Sequence, residues 1–342
     1  MNEKTPSIQE WKGLYDAAIE FKKIECWNWM WDSDIFGVQN PANGEIGYCC
    51  VMGRAGEHFA LAVYLGSEGL DGYLKIQSGE FYLSPVDMLN LQKSLTASFE
   101  DRRFLQKEDF QVIKKLGLKF GGHNTWPLFR SYRPGYYPWY LTSEEARYLT
   151  LSLLQTIDVS LRFKGNPEML TSPTENHYLV RVPKKDETGL SWRDVWMEPL
   201  PLEKVEIIAE PIDAGRLEEI NRRIPQRQGV WEIDFFYFPQ AIKEKEERPF
   251  YPYVTLWVEH NLGLILNQHL GKPAECLSGF QEQFLKFAEN INSLPQEILV
   301  KKEETFKLLE PITSELGIKL RSVKRLRTLE NAQASMFEFF SR

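Results

Sequence analysis

The chain has 342 residues and a formal charge of −7 at neutral pH, from 41 basic and 48 acidic side chains. This acidic balance argues against a dedicated nucleic-acid or membrane-binding protein, because both of those partners are anionic and attract a positive protein surface. The apolar fraction of 43% and the charged fraction of 26% are those of an ordinary globular protein. At this length we expect roughly two domains.

Cysteine usage and the start of the chain indicate a compartment. The cysteines are Cys26, Cys49, Cys50 and Cys276, without a C-x-x-C pair, which is typical of reduced, buried thiols in a cytosolic protein. The first residues contain no basic segment followed by an apolar one, and no apolar run approaches the ~20 residues of a membrane-spanning helix. The sequence therefore predicts a cytoplasmic protein without a membrane partner.

The first half begins with a helix and continues with strands. Glu10 completes a capping box at the start of an amphipathic helix predicted over Ser7–Lys23. A turn at 53–56 separates two apolar segments and predicts a β-hairpin. A helix, a strand, a second helix and a strand follow, and Thr142 with Glu145 forms another capping box at the start of a long helix.

A polar, proline-containing stretch, Lys164–Asn176, separates the two halves. We place the domain boundary there and predict a first module over 1–165 and a second over 166–342. The second half opens with a hairpin, and then repeats the order helix, three-strand meander, helix, strand, helix, strand. The predicted fold class is α/β or α+β, with mixed or antiparallel sheets packed against helices.

Two short similarities within the chain indicate an internal duplication. The segment Trp31–Phe36 is similar to Trp231–Phe236, and Leu116–Phe120 is similar to Leu316–Leu320, with a separation of 200 positions in both cases. Together with the shared order of elements, this spacing predicts that both modules descend from one α/β unit. A feature that recurs in both copies is more often needed for the fold than for a ligand.

Three segments carry a resemblance to a known family. They are the pattern W-D-x-D-[IF]-F, the run YLGSEGL at Tyr64–Leu70, and LGIKL with LRTLENA in the second module. They resemble an uncharacterised bacterial family with two linked domains of unknown function. The resemblance extends over most of the chain and implies a bacterial origin. It implies no catalytic residue, cofactor or substrate.

Asp34 and Asp234 occupy matching positions in the first pair of similar segments. If a pseudo-twofold axis relates the modules, the two carboxylates would face one cleft, where they could share a proton or bind a hard cation. The alternative, which we favour, is that each accepts hydrogen bonds from backbone N–H groups of its own module. These two aspartates are the catalytic candidates that the sequence offers.

The aromatic-arginine segment, Trp126–Tyr140, is the candidate for ligand or partner binding. Its seven aromatic rings alternate with arginines, a composition that suits stacking on sugars, bases or peptides. The alternative is that the segment lies over a sheet and buries its rings, because so many large rings are rarely left in water. The candidate binding residues are Trp126, Arg130, Tyr132, Arg133, Tyr136, Tyr137 and Trp139.

Three functions remain open at this point. The sequence contains no glycine-rich phosphate loop and no histidine or cysteine spacing typical of zinc, so we predict neither a cofactor nor a metal site. A non-catalytic binding or interaction protein fits best, using the aromatic-arginine segment or a cleft between modules, with a protein or small molecule as partner rather than nucleic acid. The alternatives are a metal-dependent hydrolase of a phosphate-containing substrate and a subunit of a larger assembly.

Overall fold

The structure is a computed structural model that describes residues 4–79, 85–186, 189–202, 213–244 and 247–340. The chain forms two compact units. Unit 1 consists of Met1–Pro134 with Pro138–Glu203, and unit 2 of Gly135–Tyr137 with Lys204–Arg342. Each unit combines helices with one sheet, which confirms the predicted α/β class.

Unit 1 is built on a sheet of seven strands. Its helices are α1 (Ile8–Ile24), α2 (Gly66–Ser78), α3 (Pro85–Leu91), α4 (Lys107–Lys115) and α5 (Ser143–Gly165). Its strands are β1 (Phe36–Gln39), β2 (Ile46–Met52), β3 (Phe59–Leu65), β4 (Ser94–Glu100), β5 (Trp126–Tyr132), β6 (Tyr178–Asp186) and β7 (Gly189–Met197). They are ordered β5-β4-β3-β2-β1-β6-β7. Neighbours are antiparallel except β1 and β6, which are parallel.

Helices α1 and α5 begin at the two predicted capping boxes. Ser7 Oγ accepts a hydrogen bond from the Glu10 N–H at 3.3 Å, and the Ser7 N–H donates to Glu10 Oε2 at 2.7 Å. Thr142 and Glu145 make the same reciprocal pair ahead of α5. Both helices pack on one face of the sheet and contribute buried side chains to one core, among them Leu14 on α1. Burial of that face is what holds the helices on the sheet.

The β6–β7 hairpin completes the sheet of unit 1, although the sequence places it in the second module. Val180 on β6 is fully buried and pairs with Gly37 on β1. A Cβ on Gly37 would lie 2.8 Å from Val180 Cγ2, so only glycine lets the strands approach this closely. Arg181 Nη1 donates to Asp194 Oδ1 at 2.6 Å, and Arg162 of α5 binds the same carboxylate. The observed division therefore follows Glu203 rather than residue 165.

Unit 2 is built on a sheet of five strands. Its helices are α6 (Ala214–Arg223), α7 (Pro273–Ser278), α8 (Phe280–Ile291), α9 (Glu303–Glu315) and α10 (Arg327–Phe340). Its strands are β8 (Val230–Tyr237), β9 (Tyr253–Glu259), β10 (Ile265–Gly271), β11 (Glu297–Val300) and β12 (Lys319–Ser322). They are ordered β10-β9-β8-β11-β12. The first three form an antiparallel meander, and β11 runs parallel to both β8 and β12.

The two units share an order of elements but not a pairing of strands. In unit 1 the fourth strand, β4, extends the meander by pairing antiparallel with β3. In unit 2 the fourth strand, β11, returns to the first strand and pairs with β8 in parallel. Trp31 lies in a turn and is 54% exposed, whereas Trp231 lies within β8 and is 3% exposed. The internal duplication therefore stays a prediction, and the sheet topologies do not repeat.

Candidate functional site

Arg130 is a buried structural residue. Its Nη1 donates to Asp109 Oδ1 at 2.9 Å and its Nη2 donates to Asp109 Oδ2 at 2.7 Å. This bidentate ion pair joins β5 to α4. The ring centroid of Tyr140 lies 4.8 Å from the guanidinium carbon. Arg130 is 7% exposed, so its charge is used inside unit 1 and is not presented to solvent. Sequence analysis missed Asp109, whose only local signal is its capping position at the start of α4.

The other residues of the aromatic-arginine segment divide into two groups. Trp126 packs against Phe110 and Phe120, with ring centroids 6.0 and 5.8 Å away, and belongs to the core of unit 1. Tyr132, Arg133 and Trp139 are partly buried, and Trp139 exchanges backbone hydrogen bonds with Ser131. Tyr136 and Tyr137 are 39% and 38% exposed. Most of the segment is thus built into the fold, but Trp126–Tyr132 forms the outer strand β5 of the sheet instead of lying over it, and Tyr136 and Tyr137 keep part of their surface in solvent.

Asp34 closes a turn in unit 1. Its Oδ2 accepts a hydrogen bond from the Trp31 N–H at 2.7 Å, and its own N–H donates to the Trp31 carbonyl at 3.0 Å. This turn comes directly before β1. The geometry is that of the favoured interpretation, in which the aspartate binds a backbone N–H of its own module.

Asp234 lies on β8 of unit 2, and a lysine is its ionic partner. Lys302 Nζ is 3.6 Å from Asp234 Oδ1, and it also donates to the Phe235 carbonyl. The Phe235 N–H donates to the same carboxylate oxygen at 2.8 Å. Burial raises the pKa of Asp234, and the positive charge of Lys302 opposes that rise. A lysine and one carboxylate are not a donor set that suits a hard cation.

The pKa of Asp234 predicts a pH-dependent effect of substitution. Because burial raises the folded-state pKa, the stability that this carboxyl contributes is complete below its usual pKa and is lost as the pH rises through the raised value. Asp234→Asn has no carboxyl group to ionise and so does not lose this stability. As the pH rises from the usual pKa of an aspartate to the raised pKa, the unfolding free energy of the variant should therefore increase relative to that of the native chain. Urea unfolding in steps between about pH 3 and about pH 8 measures the difference. A difference that does not change with pH would contradict this account.

The cysteine thiols are poor nucleophiles in this structure. All four are buried and free of disulfides, as predicted. Burial raises the pKa of both Cys26 and Cys49 to about 12, so these thiols stay protonated near neutral pH.

Within the ranges that the structure describes, no three His, Cys, Asp or Glu side chains are placed to bind a metal ion together. In the same ranges, no helix is long and apolar enough to cross a membrane.

Unit 1 contains an open cleft of about 840 Å³. One wall is the β1–β2 turn, the other is the start of α5 with the residues before it, and apolar side chains contribute from β3 and β4. The lining residues are Lys4, Asn40, Asn43, Glu45, Leu65, Leu95, Arg133, Thr142, Ser143, Glu144, Glu145, Arg147 and Tyr148. Cavities of this volume, with a few polar groups converging on them, are typical of small-molecule sites.

The arginines of the cleft are already neutralised by neighbouring carboxylates. Arg133 Nη2 donates to Glu145 Oε1 at 2.9 Å, and Arg147 is paired with Glu10 of α1. Burial alone would raise the pKa of Glu145, but the Thr142 N–H and Arg133 lower it overall. Hydrogen bonds, chiefly from Ser143, lower the pKa of Glu10 to about 2. These ion pairs hold the arginine side chains in place on the α5 side of the cleft.

The N-terminus of α5 is not arranged to bind an anion. The Ser143 N–H donates to the Lys4 carbonyl at 2.7 Å, and the Glu145 N–H donates to Thr142 Oγ1 at 3.2 Å. Two of the N–H groups that could hold a phosphate at this helix start therefore already have protein acceptors.

The β1–β2 turn supplies two amides and a carboxylate to the cleft. Asn40 and Asn43 each use the amide oxygen to accept a backbone N–H at 3.0 Å, which leaves their NH₂ groups as donors. The Glu45 carboxylate makes no hydrogen bond and no ion pair with any described residue. Its Oε1 lies 3.1 Å from where a Cβ on Gly66 would be, and Gly66 has a φ of +62°. The glycine at the start of α2 thus gives the carboxylate room.

Sequence analysis found one side of this cleft. Arg133 belongs to the aromatic-arginine segment, whereas Asn40, Asn43 and Glu45 lie in a stretch whose proline, asparagine and glycine predict only a turn. The turn already accounts for these residue types, so the sequence gives no further signal that their side chains line a cleft.

Comparisons with solved structures find low similarity to two integrase catalytic core domains and to an intasome. The catalytic core domain of BIV integrase matches with 13% identity and a TM-score of 0.24 over 32% of this chain and 68% of that one. A simian T-cell lymphotropic virus intasome matches with 13% identity and a TM-score of 0.26 over 34% and 42%. The HTLV-2 integrase catalytic core domain matches with 18% identity and a TM-score of 0.23 over 32% and 66%. These values are too low to support an argument about function.

Family models match both halves of the chain. A comparison with curated proteins found no match. The model of a domain of unknown function, DUF7309, matches residues 11–181, which is half of the chain. The model of a second one, DUF6930, matches residues 216–337. The chain therefore belongs to the DUF7309 family, and its residues 216–337 are similar to a DUF6930 domain, which agrees with the resemblance to a family with two linked domains of unknown function.

Proposed function

We propose that this chain is a non-catalytic binding protein and that the cleft of unit 1 holds a small polar ligand with a positively charged amine. The observation that carries the proposal is the Glu45 carboxylate, which lines the cleft without a protein partner in the described part of the chain. A half-buried carboxylate is stabilised by a cation, and an alkylammonium group supplies both charge and hydrogen-bond donors.

The remaining lining residues narrow the ligand further. The free NH₂ groups of Asn40 and Asn43 donate hydrogen bonds to hydroxyl or carbonyl oxygens. Leu65, which is partly exposed, offers apolar contact to a carbon skeleton. A hydroxylated amine, such as an amino sugar or an amino alcohol, combines these features. A small molecule of this kind also fits the acidic charge of the chain, which disfavours nucleic acid.

A catalytic role has less support than binding. Hydrolysis needs an activated nucleophile or a metal-bound water. Asp34 is used in a turn, Asp234 is paired with Lys302, and the Cys49 thiol is protonated. A metal-dependent hydrolase therefore has less support than a binding protein.

The test is a thermal-shift screen of small amines, followed by calorimetric titration of the best one. Glu45→Gln should weaken binding of that amine by about tenfold or more, because a charge-assisted hydrogen bond contributes about 1.5–3 kcal/mol. The matched control is Glu57→Gln, which removes the same charge from an exposed turn of unit 1 and should leave affinity unchanged. Equal affinity in Glu45→Gln and the native chain, or stabilisation by anions instead of amines, would refute the proposal.

A further inference from the structure

Strand β10 is the outer strand of the unit 2 sheet. Among the strands that the structure describes, it pairs with β9 alone. The backbone N–H and C=O groups along its other side are therefore not used within this sheet. An unpaired edge of this kind is a template for hydrogen bonding with another strand.

This edge lacks the features that usually protect an exposed strand. The stretch 261–271 contains no Lys, Arg, Asp, Glu or Pro, although 26% of the chain is charged. Folded proteins normally place charges, proline or bulges on free edges to prevent pairing. The single irregularity, between Ile265 and Asn267, lies near one end, and residues 267–271 pair regularly with 257–253. A regular, uncharged edge of five residues remains.

Apolar side chains are exposed along the same edge. Leu270 is 49% exposed and Ile265 is 41% exposed. They pair with Val254 and Val258, whose side chains belong to the core beneath α10. Opposite residues of an antiparallel pair point to the same face, so both side chains lie on the α10 face of the sheet. Leu264 in the adjoining turn is 59% exposed.

We infer that β10 pairs antiparallel with β10 of a second copy of this chain and joins two five-stranded sheets. A twofold axis perpendicular to the sheet keeps the α10 faces of both copies on one side, where Ile265 and Leu270 of each copy become neighbours of the other strand.

The overall charge explains why a second copy would use this strand. Each chain carries −7, and two such chains repel each other unless they meet through a locally neutral surface. The stretch 261–271 is neutral, and an uncharged edge is matched best by an equally uncharged strand. The β10 edge of another copy meets this condition and repeats the same backbone pattern. The β10 edge belongs to unit 2 and is independent of the ligand of unit 1.

The experiment is sedimentation velocity of the full chain over a range of concentrations. The native chain should sediment as a dimer of the 40.0 kDa chain. Leu270→Lys should raise the dissociation constant about tenfold or more, because it places a charge of each copy against the apolar, uncharged strand of the other, and a lysine on a free edge opposes strand pairing. At protein concentrations below the dissociation constant, the variant and the native chain should have the same melting temperature. The reason is that the Leu270 side chain is about half exposed in a single copy. Leu161→Lys, at an equally exposed leucine of α5, is the matched control and should remain dimeric.

Hydrogen exchange gives a second measurement on the native chain. Backbone amides of β10 should gain protection as the concentration rises through the dissociation constant, while amides of the turn at 53–56 should not. A monomer at all concentrations would overturn the inference. So would a dimer that Leu270→Lys leaves intact, or one that forms without added protection in β10.

Discussion

Replacing Arg130 with methionine is expected to lower the free energy of unfolding of unit 1 by about 3–5 kcal/mol, because the substitution leaves the Asp109 carboxylate buried without its cation. The pair is bidentate, and both side chains are about nine-tenths buried. Urea unfolding monitored by circular dichroism measures the change. This is the opposite of what a surface binding residue predicts, which is lost affinity at unchanged stability.

The control for this prediction is the double variant Arg130→Met with Asp109→Asn. Asparagine can still accept the capping hydrogen bond that the Gln106 N–H donates to Asp109 Oδ2 at 2.8 Å. With both charges absent, most of the lost stability should return, since replacing both partners of a buried pair is far less costly than removing one. If Arg130→Met alone left the unfolding curve in place, the ion pair would contribute nothing and the arginine would be available for a partner.

Val180→Asp is expected to destabilise unit 1 by several kcal/mol, about 3–5, because it buries an unpaired carboxylate between two strands. Val180 has no exposed surface and pairs with Gly37 of β1, while β7 lies on the other side of β6. Hydrogen exchange of β1 and β2 reports the effect directly, since these strands lose protection if β6 separates from them.

Val180→Ala is the graded control, because it removes two methyl groups without adding charge. It should cost less than the aspartate and leave β1 protected from exchange at neutral pH. Unchanged protection of β1 in Val180→Asp would mean that β6 does not belong to the first sheet, and that the chain divides near residue 165.

Local chemistry made the helix starts predictable. A capping box depends on residues three positions apart, so Ser7 with Glu10 and Thr142 with Glu145 identify the first turns of α1 and α5 without any knowledge of the rest of the chain. The order of elements in both units was predictable for the same reason. Alternation and helical periodicity are properties of short windows.

The pairing of strands was not predictable from the same windows. A strand pattern states that one face is buried, but not which strand lies beside it. The β6–β7 hairpin follows a polar stretch that resembles a linker, and only its pairing with β1 assigns it to unit 1. The duplication was inferred from element order and local similarity, and neither of these carries information about whether the fourth strand joins the third or the first.

The candidate site residues show the same contrast between local sequence signals and contacts that are distant in sequence. Arg130 was identified by its type and by its aromatic neighbours, but its partner Asp109 is 21 residues away and no local pattern connects them. Glu45 gives no signal in the sequence, because the residues before it have the composition of a turn and predict nothing beyond that turn. A charged residue acquires a role through what surrounds it in three dimensions, so residue type alone named the candidates and could not decide their use.

The parallel contact between β1 and β6 has a consequence for how the chain folds. Gly37 and Val180 are neighbours in the sheet but far apart in sequence, with the β2–β5 meander and α5 between them. Such non-local contacts form late, because a long loop must close before they stabilise anything. During synthesis the meander can assemble while the outer side of β1 is still open, and this edge is available for pairing with a wrong strand until β6 leaves the ribosome. Slow translation between α5 and β7 would prolong that interval and should lower the yield of folded protein.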